Sequence, residues 1–197
     1  MATDKKEKIL EAALKIFTDN GYHLTKLEDV TKTAGLAKGT LYLCFKNKED
    51  LFLHCLFDGM EKAMKQAQII IDGPGNTADH LKQLVQLQAD LHAHNGPLIQ
   101  QFIMSGNQFS SKSNSTCQFF ERMQRWTSIY AEFFKQAIEN GDFSTRLTPL
   151  QMAIIFHQVF DLNLKFRLFD APMFSPEQCL SLLLKMFKSE SGDSTGE

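Results

Sequence analysis

A run of small, polar and basic residues between positions 37 and 48 has the composition of a surface that contacts DNA. Ala37 and Gly39 allow a close approach of the backbone, and Thr40 offers a hydroxyl and a methyl group. Lysine side chains reach base acceptors or phosphates. The run contains Ala37, Lys38, Gly39, Thr40, Lys46 and Lys48. It predicts hydrogen bonding and charge neutralisation at a nucleic acid.

Two short helices joined by a tight turn are predicted to position these residues. Apolar residues recur at helical spacing on both sides of the turn: Leu27, Val30, Ala34, Leu41 and Phe45. Gly35 can adopt the left-handed conformation that ends a helix. This is the layout of a helix-turn-helix, whose second helix lies in the DNA major groove. An ordinary helical hairpin with a solvated lysine face is the alternative.

The segment KILEAALKIFTDNGYHLTKLEDVTKTAGLAKGTLYLCFKNKEDLF, residues 8–52, resembles the tetracycline-repressor (TetR) family of bacterial transcription regulators. The resemblance rests on Thr25 as a helix cap, on Glu28 and Asp29 in the first turn, and on the patterns Lys-Gly-Thr-x-Tyr and Phe-x-x-Lys. Leu43 and Cys44 depart from the family, which commonly has an aromatic residue and a histidine there.

The resemblance implies a set of DNA contacts. Lys38, Gly39 and Thr40 would read bases, whereas five others would position the phosphates: Thr25, Lys26, Tyr42, Lys46 and Lys48. The full set is Thr25, Lys26, Ala37, Lys38, Gly39, Thr40, Tyr42, Leu43, Lys46 and Lys48. From residue 21 to residue 48 there are five lysines and two acids, a formal charge of +3 within a chain of net charge -2. DNA-binding charge is therefore expected to be local.

The fold predicted is all-α with about nine helices. Residues 1–52 would form a three-helix DNA-binding domain with its motif at about 27–46, and residues 53–190 a helical-bundle domain for ligand binding and dimerisation. Asn47 is expected to cap a long helix from about 48 to 71. Separate helices are predicted at 77–93 and 98–104, divided by Asn95-Gly96-Pro97. A polar connection at 105–116 and a disordered tail at 191–197 complete the assignment.

An aromatic stripe on the predicted helix at 117–140 indicates either a packed core or the wall of a ligand pocket. Tryptophan and tyrosine carry polar groups that need partners, and methionine adapts to varied shapes. Together with the resemblance, this favours a pocket for a small, largely apolar effector. The expected lining is Met104, Met123, Trp126, Tyr130, Phe156, His157 and Phe160.

The helices at about 148–169 and 175–188 carry more apolar surface than one chain can bury, which predicts a homodimer. The resemblance then implies a repressor that a ligand releases from a palindromic operator. A DNA-binding dimer without a ligand and a transcriptional activator are the alternatives.

Other chemistry finds little support in the sequence. The four cysteines lie far apart, so neither a disulfide framework nor a metal site is predicted, and no cofactor is expected. His157 and Asp161 lie one helical turn apart and could share a hydrogen bond, but no nucleophile motif accompanies them. An enzyme is therefore not predicted. Without a signal peptide or a span long enough for a bilayer, the cytoplasm is the expected location.

Overall fold

The computed structural model describes residues 2–104, 115–168 and 172–188, and these fold into eight α-helices without a strand. The helices are α1 (Ala2–Leu24), α2 (Leu27–Thr33), α3 (Lys38–Cys44), α4 (Lys48–Asp72), α5 (Thr77–Met104), α6 (Ser115–Glu139), α7 (Pro149–Leu168) and α8 (Pro176–Phe187). The all-α prediction is confirmed. Across the described ranges, no helix combines the length and apolar character needed to cross a membrane.

The chain divides into two compact units. The first contains residues 1–62 and 93–120, and the second contains residues 63–92 and 121–197. The functional boundary expected at Phe52 stays a prediction. Most of the predicted connection at 105–116 and the whole predicted tail at 191–197 lie outside the described residues.

In the first unit, α1 buries one apolar face, on which Ile9, Ala13 and Phe17 are fully inaccessible to solvent. Gly21 interrupts α1 with φ 76° and ψ 166°, a conformation that glycine adopts readily. The interruption is spanned by Gln101 of α5. The Gln101 side chain donates to the Phe17 carbonyl (3.2 Å) and accepts from the Tyr22 N–H (2.7 Å).

The start of α4 follows its local sequence chemistry. The Asn47 Oδ1 atom accepts a hydrogen bond from the Asp50 N–H at 2.8 Å, which confirms the predicted cap. The Asp50 carboxylate in turn accepts from the Lys46 N–H at 2.9 Å. These bonds fix the path of the chain as it leaves α3.

The predicted break at residues 95–97 is wrong, because α5 continues through Pro97. A proline inside a helix removes one backbone hydrogen bond, a cost that good packing can outweigh. Asn95, Gly96 and Leu98 are all buried here. Asn95 also lies against Gly59 of α4, where an added β-carbon would overlap the Asn95 side-chain amide. Two predicted helices are thus one, which lowers the predicted count of about nine.

In the second unit, α7 has apolar residues on opposite sides. Phe156 and Phe160 are fully buried, whereas Leu150 and Ile154 are 54% and 47% exposed. The helix α8 begins with a capping box in which the side chains of Ser175 and Gln178 exchange hydrogen bonds with each other's backbone N–H groups. Exposed apolar residues on α7 remain available for a partner.

Candidate functional site

The outer face of α3 is open to solvent. Leu41 is fully buried on the inner side, while Leu43 is 87% exposed and Tyr42 is 48% exposed. A β-carbon added at Gly39 would have no neighbour within 4 Å. The turn before α3 is formed by Gly35 in the left-handed region, at φ 66°, as predicted. The helix-turn-helix therefore presents the predicted reading residues outward.

Lys38 is paired with Glu28 across the turn. The Lys38 Nζ atom lies 2.5 Å from the Glu28 Oε1 atom, and both side chains are more than half exposed. The hydrogen bond and opposite charge lower the pKa of Glu28 and raise the pKa of Lys38. A base or a phosphate would therefore compete with the Glu28 carboxylate for the charge of Lys38.

Lys48 is held inside the unit rather than pointing freely outward. Its ammonium group donates to the carbonyls of Thr25 (3.0 Å) and His23 (3.2 Å), and it lies 4.6 Å from the centre of the Tyr22 ring. Partial burial lowers the pKa of Lys48. This predicted phosphate contact therefore also joins the start of α4 to the junction between α1 and α2.

Thr25 does not act as the predicted helix cap. The N-cap residue of α2 is Lys26, which makes no side-chain capping bond. Thr25 is only 2% exposed, and its hydroxyl donates to the Gly21 carbonyl at 2.8 Å. Burial thus commits the hydroxyl to the protein backbone, where it supports the interruption of α1. Its role as a phosphate contact stays a prediction.

The other predicted DNA contacts are placed at the surface. Lys26, Ala37 and Lys46 are exposed, and Thr40 is half-buried. Cys44 is half-buried at the end of α3. All four thiols of the chain are free, and burial raises the pKa of Cys55 to about 12. Within the described residues, no three histidine, cysteine or acidic side chains form a group that could hold a metal ion.

Most of the predicted pocket residues come together in the second unit as one packed cluster. The Trp126 and His157 rings are 5.3 Å apart, the Tyr130 and Phe156 rings 4.6 Å, and the Phe156 and Phe160 rings 5.4 Å. These five residues are at most 5% exposed, and Met123 is half-buried. The side chain of Met104 lies outside the described residues.

Gln88 of α5 connects the polar groups of this cluster. It accepts from the Tyr130 hydroxyl at 3.5 Å, and its amide lies 3.4 Å from the His157 Nδ1 atom. If the amide donates there, His157 is neutral and carries its proton on Nε2. Burial lowers the pKa of His157 to about 4, against a smaller opposing effect of Asp161. Among the residues that the structure describes, the buried His157 Nε2 atom has no hydrogen-bond partner.

The predicted hydrogen bond between His157 and Asp161 is not formed. Asp161 instead contacts the His92 Nε2 atom at 3.1 Å, and Gln158 donates to its second oxygen. Sequence reasoning missed Gln88 and His92 as members of this polar network. Their polar character on a leucine-rich helix was the only available signal, and the partners are 69 residues away in each case.

Part of this chain is similar to proteins of a known family. Residues 9–55 match the family described as bacterial regulatory proteins, tetR family. Over this segment the chain is similar to TetR-family regulators. The matched segment contains all of α2 and α3 and the first residues of α4.

Individual relatives extend the likeness beyond the motif. The uncharacterized HTH-type transcriptional regulator YhgD of Bacillus subtilis is 50% identical over 66 residues, which cover 34% of each chain. The fatty acid metabolism regulator protein of Bacillus subtilis is 24% identical over 141 residues, 71% of each chain. The crystal structure of the transcriptional regulator FadR from Bacillus subtilis in complex with stearoyl-CoA has a TM-score of 0.70 at 20% identity. That match covers 91% of this chain and 97% of the FadR chain, and it shows a shared fold.

The second unit also has open cavities that the aromatic cluster does not line. One cavity of about 450 Å³ lies between the first turns of α5 and α8 and is lined by Lys82, Gln86 and Leu180 among others. Another, of about 240 Å³, includes His80, whose Nε2 atom is buried without a partner. The predicted pocket residues line neither of these two cavities.

Proposed function

We propose that this chain is a homodimeric, DNA-binding transcriptional repressor that a small, largely apolar effector releases from a palindromic operator. The observation that carries the proposal is the outward face of α3 within a TetR-type helix-turn-helix. Gly39 and Leu43 are exposed there, opposite the buried Leu41. In this motif the second helix enters the major groove.

Local charge supports the proposal. Lys26, at the start of α2, and Lys46, just after α3, are exposed and could contact phosphates. Lys38 adds a third cation once it leaves Glu28. The net charge of -2 is therefore compatible with DNA binding, because the positive charge is concentrated in residues 21–48. We call this segment, which contains the helix-turn-helix, the reading head.

The proposed effector site is the aromatic cluster that contains Trp126 and His157. Buried polar atoms without partners are rare in proteins, and the unpartnered His157 Nε2 atom is suited to a polar group on an otherwise apolar ligand. One relative is named a fatty acid metabolism regulator, and a structural neighbour is described in complex with stearoyl-CoA. A ligand with a fatty-acyl chain is the class that we propose to test first.

The proposed dimer interface lies on α7 and α8. Leu150, Ile154 and Met186 are each more than 40% exposed on these helices. Two-fold pairing of the same surface is the commonest way to bury such residues. A symmetric dimer would place two recognition helices about 34 Å apart on one face of the DNA, which requires a palindromic operator. We propose that the dimer acts in the cytoplasm.

Binding to the DNA just upstream of the chain's own coding region tests the central proposal. The affinity of the purified protein is compared with that for random DNA at two salt concentrations. We expect tight, sequence-selective binding that survives the higher salt better than binding to random DNA does. Equal, weak and salt-sensitive binding to both would count against this operator, and selection from random DNA would then decide whether any operator exists.

The effector is tested with the same complex. The chain has one tryptophan, Trp126, so its fluorescence reports directly on the proposed pocket. Acyl ligands should change this fluorescence, raise the melting temperature and release the operator. If none of a lipophilic series changes any of the three, a DNA-binding dimer without an effector is favoured. The position of the operator relative to the promoter separates a repressor from an activator.

A further inference from the structure

The outward face of α3 has an unusual chemistry for a surface that reads bases. Its sequence is KGTLYLC, which contains no arginine, asparagine or glutamine. These are the side chains that form bidentate hydrogen bonds with guanine or adenine. Its one cation, Lys38, is hydrogen-bonded to Glu28. Hydrogen-bond readout from this helix is therefore limited.

The outward face of α3 presents an apolar side chain instead of hydrogen-bonding groups. Leu43 is 87% exposed, and it lies three and four residues after Thr40 and Gly39 on the same side of the helix. Gly39 contributes no side chain, and a β-carbon added there would have no neighbour within 4 Å among the described residues outside its own stretch of helix. The Leu43 side chain thus stands beside an open space instead of packing against a neighbour.

In the major groove, one base presents an apolar group. The C5-methyl group of thymine projects there, and apolar side chains recognise it by direct contact. Cytosine has hydrogen at the same ring position, so a methyl contact separates the two pyrimidines. The local charge of the head provides affinity for phosphates but no such discrimination.

We propose that Leu43 determines operator specificity by contacting the C5-methyl group of a thymine in each half-site, with Gly39 leaving room for that methyl group. This inference rests on the proposed function, because it requires that α3 enters the major groove. It assigns to Leu43 a positive role in choosing the sequence, and it predicts a fixed thymine in the operator.

The test uses an operator selected from random duplexes by the full-length protein. Each thymine of a half-site is replaced in turn, in both half-sites together, by deoxyuridine, which lacks only the methyl group. We expect one position at which binding weakens by roughly fourfold per half-site, the equivalent of one buried methyl group. The substitution is made in the DNA, so the result does not depend on the folding of a variant.

Leu43→Ala then identifies the side chain responsible. This variant should bind the thymine and deoxyuridine duplexes at that position equally, while keeping the wild-type melting temperature because Leu43 is exposed. Cys44→Ala, one residue further on the same helix, is the matched control and should keep the wild-type ratio between the two duplexes.

The possible results test the role of Leu43 and the proposed DNA-binding function separately. A selected operator whose thymines are all insensitive to deoxyuridine would overturn the role of Leu43 and leave DNA regulation intact. So would a Leu43→Ala protein that still prefers thymine by the wild-type factor. Failure to select any sequence would overturn both.

Discussion

Three lysines of the reading head carry the same charge, but their side chains make different contacts. Lys46 is exposed, Lys38 is paired with Glu28, and Lys48 is bonded to two backbone carbonyls. Their contributions to DNA binding should therefore differ in kind. An exposed lysine is available at once, a paired one must first leave its partner, and a bonded one contributes through the local structure.

Glu28→Gln should strengthen DNA binding. The substitution removes the carboxylate that holds Lys38 and also removes a negative charge near the phosphates. The gain of one phosphate contact in each protomer would steepen the slope of log K against log salt by about 0.9 per contact. Fluorescence anisotropy of labelled operator over a range of salt concentrations measures both quantities.

Asp29→Asn is the matched control for that variant. It removes the same charge from the first turn of α2, but Asp29 is not the partner of Lys38. We expect a smaller gain in affinity and a smaller change of slope. Equal effects of the two substitutions would mean that only net charge matters and that the pairing of Lys38 is irrelevant.

Lys48→Ala should lower stability as well as DNA affinity. It removes two hydrogen bonds to the carbonyls of His23 and Thr25, together with the contact on the Tyr22 ring. We expect a loss of about 1 kcal/mol in the free energy of unfolding. Lys46→Ala, by contrast, should reduce the affinity and its salt dependence without a measurable change in stability. Thermal unfolding and operator titration of both variants would show whether this distinction is real.

At the scale of helices, the sequence predicted those helix ends that depend on interactions between neighbouring residues. Asn47 caps α4, and Gly35 has a positive φ value at the end of α2. Each of these signals involves residues within one turn of one another. The Asn95-Gly96-Pro97 signal failed because contacts between distant residues, such as Asn95 against Gly59, compete with it.

The close approach of α4 and α5 can be tested at Gly59. Glycine to alanine inside a helix normally gains about 1 kcal/mol, but here the new methyl group would overlap the buried Asn95 side chain. We expect Gly59→Ala to destabilise the protein by roughly 1–3 kcal/mol. In an Asn95→Ala background, the same substitution should become stabilising.

A double-mutant cycle followed by thermal unfolding measures this reversal of sign. The single variant Asn95→Ala supplies the reference. If Gly59→Ala has the same effect in both backgrounds, the two helices do not approach as closely as described.

The buried His157 should make the second unit sensitive to acid. Its pKa of about 4 lies below the ordinary value of 6.5, so the unfolded chain binds the proton more tightly. The free energy of unfolding should therefore fall as the pH drops from about 6.5 to about 4, by up to roughly 3 kcal/mol. His157→Gln removes this contribution.

The melting temperature of both proteins between pH 7 and pH 4.5 checks the effect of His157. The wild type should lose more stability than the variant over this interval. Parallel curves would show that His157 is not buried in its neutral form.

At the scale of the whole molecule, the sequence predicted which residues are buried better than it predicted their partners. The periodicity of α6 located Trp126 and Tyr130 in the core, because apolar residues repeat along one helix. Gln88 and His92 could not be paired with their partners in advance, since no local rule relates residues 69 positions apart. The same reason explains why the contacts of Lys48 with Thr25 and His23 were not foreseen.

Ile154→Arg should separate the proposed dimer. Ile154 is 47% exposed on α7, and an arginine there would place two like charges across a two-fold interface. Light scattering should show half the wild-type mass, and operator affinity should fall steeply because each head then binds alone. Gln124→Arg, an exposed position on α6, is the control that should remain dimeric. A dimeric Ile154→Arg protein would place the interface elsewhere.

Gln101 gives the interruption of α1 a consequence for protein engineering. Its side chain, from α5, accepts a hydrogen bond from the Tyr22 N–H and donates one to the Phe17 carbonyl, so it joins the two sides of Gly21. A reading head cut from the chain after residue 62 would lose this support, although it would contain the whole family motif. Chimeric regulators built by exchanging heads should therefore transplant residues 93–104 together with the N-terminal helices, because the portable module is discontinuous in sequence.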